Sequence, residues 1–242
     1  RGTEPTEAGE PVVRFARGVL AQYERTRDEI DAAASGAAGK TRVGSMAVEG
    51  PVLLAQAVQR LKAQSPRATV LVEEGDLTHL LPKLRLGELD VFVGRLEPGY
   101  AAPDLSTEAL YDEPMVAVGA VGSAIAAMAR PTWADLAALP CVVPPPWASL
   151  RVKLQQQFHR HGVEPSADLI ETSSYLAALT FVGQRGAVGF LAQSAAQSFE
   201  RQGVCRILRM ALDLPVLLVG IITLREARLS ASSRQLLQCL RD

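Results

Sequence analysis

The stretch Leu80-Leu81-Pro82-Lys83-Leu84-Arg85-Leu86-Gly87-Glu88-Leu89-Asp90-Val91-Phe92-Val93-Gly94-Arg95 reads as an amphipathic helix that turns through a glycine into a strand ending on Gly-Arg. Apolar residues at helical spacing stop at Gly87, and a short β-rich run follows. A strand tip carrying an arginine is a place to hold an anion, because the planar guanidinium meets a carboxylate through two parallel hydrogen bonds.

Working outward from that unit, strands and helices alternate. Thr41 to Met46 reads as a strand, Pro51 to Ala63 as a helix with proline in its first turn, and Thr69 to Glu73 as a second strand. The quoted helix and a third strand, Val91 to Val93, come next. Such alternation implies βαβ units and a parallel sheet with helices on both faces. Ligands of such sheets sit beyond the carboxyl ends of the strands, which here are Ser45 to Gly50, Gly75 to Thr78 and Gly94 to Leu96.

The second half repeats the pattern. Leu110 to Val118 reads as a strand, and Cys141 to Val143 as a short one that ends in Pro144-Pro145-Pro146-Trp147. Ser149 opens a helix to about His161, Leu169 to Glu171 is a strand, and Thr172 or Ser173 caps a helix to Val182. Ala187 to Leu191, a helix Ala192 to Gln202, Val204 to Leu208, a long strand Val216 to Thr223 and a closing helix Ser230 to Leu240 complete the chain. Two α/β lobes joined by two long strands are the most economical arrangement.

A single helix precedes the lobes. From Pro11 to about Ile30, the residues Val12, Ala16, Val19, Tyr23 and Ile30 follow coiled-coil spacing, with Thr26 filling the missing step. Such a seam wants a partner; the alternative is a helix packed on its own domain. Thr6 is a candidate N-cap for its entry turn. The small-residue run Ala32 to Gly39 reads as a flexible joint, which places a domain boundary near residue 40.

Composition narrows the function classes. At 242 residues, 48% hydrophobic and 21% charged, the chain is an ordinary soluble protein, burying roughly 70–75% of its unfolded surface. Its longest near-continuous apolar run, Leu214 to Ile222, falls short of the roughly 18–20 residues that cross a bilayer. The polar start Arg1 to Pro5 lacks the apolar core of a secretory signal, and the missing initiator Met suggests a fragment or, equally, processing. A net charge of −1 gives no global footprint for nucleic acid, so any DNA contact is expected elsewhere. Cys141, Cys205 and Cys239 have neither disulfide-framework nor zinc spacing and read as reduced thiols of a cytoplasmic protein.

These residues carry a resemblance. Pro5-Thr6-Glu7-Ala8-Gly9 ahead of the seam, Val43-Gly44, Pro66, Gly75, Leu84 through Asp90, Gly162 with Pro165, Glu171-Thr172-Ser173 and Gly186 to Leu191 stand in an order and spacing similar to LysR-type transcriptional regulators. The likeness covers essentially the whole chain. It departs at Gly122-Ser123, where the family usually has His-Pro, and at Ala192, where it usually has Pro. The resemblance implies a two-lobed periplasmic-binding-protein-like (type 2) α/β fold preceded by a long linker helix. It implies residues 1–40 as the end of a headpiece with linker helix and joint, 41–114 with 220–242 as the first effector-binding lobe, and 115–219 as the second. It further implies a small-molecule effector in the cleft, a homo-dimer or homo-tetramer, and DNA contact through an N-terminal winged-helix headpiece outside this chain.

For the pocket, Arg95 is the expected anion anchor, with a surface or inter-lobe ion pair, for example to Glu97, as its alternative. The Thr78 hydroxyl either binds an anion or caps; Asp76 is expected to cap, because its carboxylate would repel an acidic ligand. Ser45, Met46 and Ala47 line the first strand tip. Trp147 and Ser149 sit at a strand-to-helix turn, a candidate anion site with an aromatic wall. Thr172 and Phe190 occupy comparable edges. No metal or cofactor is expected: His159 and His161 do not share a helix face, and no Gly-x-Ser-x-Gly, P-loop or His-Glu-x-x-His occurs. The reading is therefore a regulator's sensor for a small, carboxylated metabolite rather than an enzyme. Its rivals are a transport-type solute-binding protein and, more remotely, a two-lobed enzyme.

Overall fold

The computed structural model describes residues 5–35, 39–46, 50–96, 102–146, 148–227 and 229–242. Ala47, Glu97 and Trp147, named above, lie outside them. The chain divides into two compact units, residues 1–111 with 218–242, and residues 112–217.

Unit 1 opens with α1 (Glu10–Ser35), which runs past the expected start of the joint. Ala32 to Ala34 are the strongest helix formers, so the helix continues through them. The Thr6 hydroxyl accepts from the Gly9 amide at 3.2 Å in the entry turn. Then come β1 (Lys40–Ser45), a π turn (Gly50–Leu54), α2 (Ala55–Gln64), β2 (Thr69–Glu74), α3 (Leu77–Leu86), β3 (Val91–Arg95) and β4 (Leu105–Glu113). The expected helix from Pro51 is thus entered through a wide turn, and its α-helical part starts at Ala55. The helix of the opening stretch stops where expected: Gly87 has φ +76°, the left-handed conformation that glycine adopts without penalty.

Unit 2 contains β5 (Met115–Gly119), α4 (Ala124–Ala127), α5 (Trp133–Ala137), β6 (Cys141–Val143), α6 (Ser149–Arg160), β7 (Leu169–Glu171), α7 (Tyr175–Arg185), β8 (Val188–Ala192), α8 (Gln193–Arg201) and β9 (Arg206–Ile207). β10 (Leu217–Leu224) and α9 (Ala231–Arg241) return to unit 1. The single strand expected over Leu110 to Val118 is two, β4 and β5, broken at Pro114, which cannot donate to a ladder. The cap of α7 is Ser174, not Thr172 or Ser173; its hydroxyl accepts from the Ala177 amide at 3.3 Å.

The sheets have the order β2-β1-β3-β10-β4 in unit 1 and β7-β6-β8-β5-β9 in unit 2. In unit 1, β1 pairs in parallel with β2 and β3, and β10 runs antiparallel to β3. Helices cover both faces. Val43, Val91 and Val93 pack with α2 and α9, whereas Phe92 packs with Leu80 and Leu84 of α3. At Gly220, in the middle of β10, a Cβ would lie 2.1 Å from the Glu108 carbonyl oxygen, so this crossing admits only glycine.

Candidate functional site

Unit 1 gathers polar groups at the carboxyl edge of its parallel strands. The register pairs Ser45 of β1 with Glu74 of β2 and Val93 of β3, so the three strand ends lie side by side and Arg95 reaches two residues further. Alternation along each strand puts Ser45 and Arg95 on the α2/α9 face, the face of Val43, Val91 and Val93. Both are more than nine-tenths buried. The Ser45 hydroxyl donates to the Met46 carbonyl at 3.1 Å. Met46 packs on the other face against the Phe92 cluster, beside Gly94, whose missing Cβ leaves room for the Phe92 ring.

Asp76 and Thr78 stand at the head of α3, on the same edge. Asp76 is the cap, accepting from the His79 amide at 3.0 Å. Its carboxylate also takes the Thr78 hydroxyl at 2.5 Å and faces His79 Nδ1 at 2.9 Å. The Thr78 hydroxyl bond, then that to His79, hold Asp76 down to about 2. The alternatives left open for Thr78 are thereby narrowed: its proton points at Asp76, so toward a ligand it presents lone pairs, not a donor.

Unit 2 has a comparable edge. Val143 and Glu171 are paired at the ends of β6 and β7, and Phe190 lies level with Val143 on β8. Phe190 is buried within β8, opposite Ala117, rather than at the strand's last residue. Thr172 follows β7, its hydroxyl accepting from the Ser174 amide at 3.0 Å. Ser149 is the first residue of α6 and exposed; no side chain caps this helix.

Two polar side chains of unit 2, Arg151 and Glu113, were not among the expected site residues. Arg151, in the first turn of α6, reaches Glu171 at 2.9 Å and the Pro144 carbonyl at 3.3 Å. A cation in a first turn opposes the helix dipole, and that conflict was the available signal for a paired carboxylate nearby. Glu113, 2% exposed, accepts from the Ser194 amide at 3.0 Å and its hydroxyl at 2.6 Å, capping α8 from a distant strand. His161, exposed at the end of α6, also stacks on Trp133 with centroids 5.5 Å apart.

All three cysteines are free and buried. Burial pushes the Cys141 and Cys205 thiols up to about 11. Among the described residues no group of three or more His, Cys, Asp or Glu is placed to hold a metal, and no helix is long and apolar enough to cross a membrane.

The profile of the LysR substrate binding domain matches residues 34–242. The chain belongs to this family. Over its whole length this LysR domain is 28% identical to the HTH-type transcriptional regulator GbpR of Azospirillum brasilense, spanning 71% of that protein. Among solved structures it is similar to full-length CbnR complexed with its target DNA, with TM-score 0.72, 20% identity, and coverage of 100% of this chain and 82% of that one. The effector-binding domain of QuiR in complex with shikimate shares the fold at TM-score 0.65 and 15% identity, with 84% and 95% coverage. The α/β architecture with two sheets and α1 ahead of them is that of the family's two-lobed regulatory domains, and effector sensing for transcription is the family's function.

Proposed function

We propose that this LysR domain recognises a small carboxylated metabolite, with Arg95 as the carboxylate anchor. The observation that carries the reading is a guanidinium more than nine-tenths buried at the carboxyl edge of the parallel strands, beside Ser45. Met46 supplies the adjoining wall, with Ala47 next to it in sequence, and Thr78 accepts a hydrogen bond from a ligand hydroxyl. Ser149, with Trp147 two residues before it in sequence, Thr172 and Phe190 are the contacts proposed on unit 2. The shikimate held by QuiR, a carboxylate bearing hydroxyls, supports this choice of chemistry.

The protein acts as a cytoplasmic homo-oligomer without catalysis of its own. A winged-helix headpiece joined ahead of α1 contacts DNA. CbnR solved with its target DNA and the exposed apolar stripe of α1, Val12, Val19, Tyr23 and Ile30, support that arrangement.

A thermal-shift series on this chain and its Arg95→Ala and Arg95→Lys variants, with shikimate, benzoate, succinate and uncharged glucose, tests the anchor. A ligand at 100 times its Kd adds about 2.7 kcal/mol, roughly 5–10 °C for a chain of this size. The expected result is a shift with an acid that Arg95→Ala abolishes. An equal shift in both proteins, or a shift with glucose alone, refutes it.

A further inference from the structure

Four charged residues fasten α1 to unit 1. Arg25 reaches Asp90 at 2.7 Å and the Leu89 carbonyl at 2.9 Å. Asp28, one turn on along the same face of α1, takes Arg42 at 2.5 Å. The two partners are themselves tied: the Asp90 carboxylate accepts the Arg42 amide at 2.8 Å, and the Arg42 carbonyl accepts the Asp90 amide at 2.8 Å. Asp90 and Arg42 are thus neighbours at the amino ends of β3 and β1, and α1 lays one cation and one anion across them in complementary order.

Among the described residues, little apolar contact holds the helix there. Ala21 is its single buried apolar residue among those described, and Gly18 lies over the Leu86 carbonyl. The large apolar residues Val12, Phe15, Val19, Leu20, Tyr23 and Ile30 all face away. Arg25 Nε is buried without a hydrogen-bond partner, and a cavity of about 20 Å³ lined by Arg25, Asp28, Lys40, Arg42 and Asp90 runs through the contact. An attachment with an unsatisfied donor, a void and almost no apolar surface is weak for its size.

We infer that Arg25, Asp28, Arg42 and Asp90 form a detachable charge clasp that sets the pose of α1 on unit 1, holding it docked by a margin that the loss of any one of these charges removes. The clasp occupies the amino ends of the same two strands whose carboxyl ends carry Ser45 and Arg95, about 10 and 17 Å away along the strands. A change of β1 against β3 therefore alters the spacing of the clasp's two halves, which gives strand-to-helix communication a short path. The inference stands whatever the effector is.

The test is a distance measurement by pulsed electron resonance between nitroxides at Arg17→Cys on α1 and Gln59→Cys on α2, both exposed sites, the native thiols being buried. Labelled chain is diluted into excess unlabelled chain, so that only distances within one chain are read. At 50 mM salt the expected distribution is a single narrow peak. Arg25→Gln, Asp28→Asn and Asp28→Arg each add a second, broad population. Adding Arg42→Asp to Asp28→Arg, which exchanges the charges, restores the narrow peak. Asp28→Asn lies on the half-exposed flank and decides the matter if Arg25→Gln fails to fold. A narrow peak in every single variant, or a double variant as broad as Asp28→Arg, overturns the clasp.

Discussion

Removing the carboxylate of Glu113 should destabilise unit 2 out of proportion to one side chain. Glu113 is buried, and its two oxygens take the amide and the hydroxyl of Ser194, in the first turn of α8. α8 has no side-chain cap of its own at Ala192. Hydrogen bonds to a charged group contribute about 1.5–3 kcal/mol each, and Ser194 is half-buried, so the lower figure applies. Glu113→Ala then costs about 3 kcal/mol, which at roughly 2–4 °C per kcal/mol lowers the melting temperature by roughly 6–12 °C. Glu113→Gln keeps one acceptor and should lose about half as much. Urea unfolding followed by the fluorescence of Trp133, buried in unit 2, reads the change where it occurs. A cycle with Ser194→Ala isolates the pair, with an expected coupling of about 1–2 kcal/mol. A shift below about 2 °C for Glu113→Ala, or additive effects in the cycle, refutes the remote cap.

Two further outcomes follow from the packing and the thiols. Gly220→Ala forces a Cβ to within 2.1 Å of the Glu108 carbonyl and 2.6 Å of a Leu96 methyl; β10 must shift, and expression should yield unfolded or aggregated chain, whereas a soluble variant melting within 3 °C of the parent contradicts the crossing. The thiols of Cys141 and Cys205, raised from 9.0 to about 11, stay protonated longer when folded than when unfolded, so the stability they contribute is full below about pH 9 and declines as pH rises to about 11. Denaturant midpoints should fall across that window, and thiol reagent at pH 8 should label these cysteines only as the chain opens; rapid labelling of the native protein would count against it.

The fold was legible because its strongest signals are local. Gly87 stops α3, Val91 to Arg95 form the buried strand that the opening stretch foretold, and Ser230 caps α9 where the closing helix was expected. Departures cluster near proline: a π turn holds Pro51 ahead of α2, and Pro114, with no amide for a ladder, breaks the expected strand, which hydrophobic periodicity does not register. The candidate edge was likewise legible for Ser45, Thr78 and Arg95, since strand ends in a parallel sheet follow from element order. What escaped was pairing over long separations. Glu113 meets Ser194, and Arg25 meets Asp90, across 81 and 65 positions of sequence; each looks like an ordinary surface charge until the partner is in place.

The route of the chain has a consequence for synthesis. Unit 1 is discontinuous: β10, which lies between β3 and β4 in its sheet, and α9, which covers Thr41 and Val43, come from residues 218–242. On the ribosome the first unit to begin is therefore the last to finish, waiting with an open sheet while the contiguous unit 2 emerges and closes. A stop codon near residue 217 would spare the later-made unit and ruin the earlier one, so losing residues 218–242 is no milder for unit 1 than a lesion in β1.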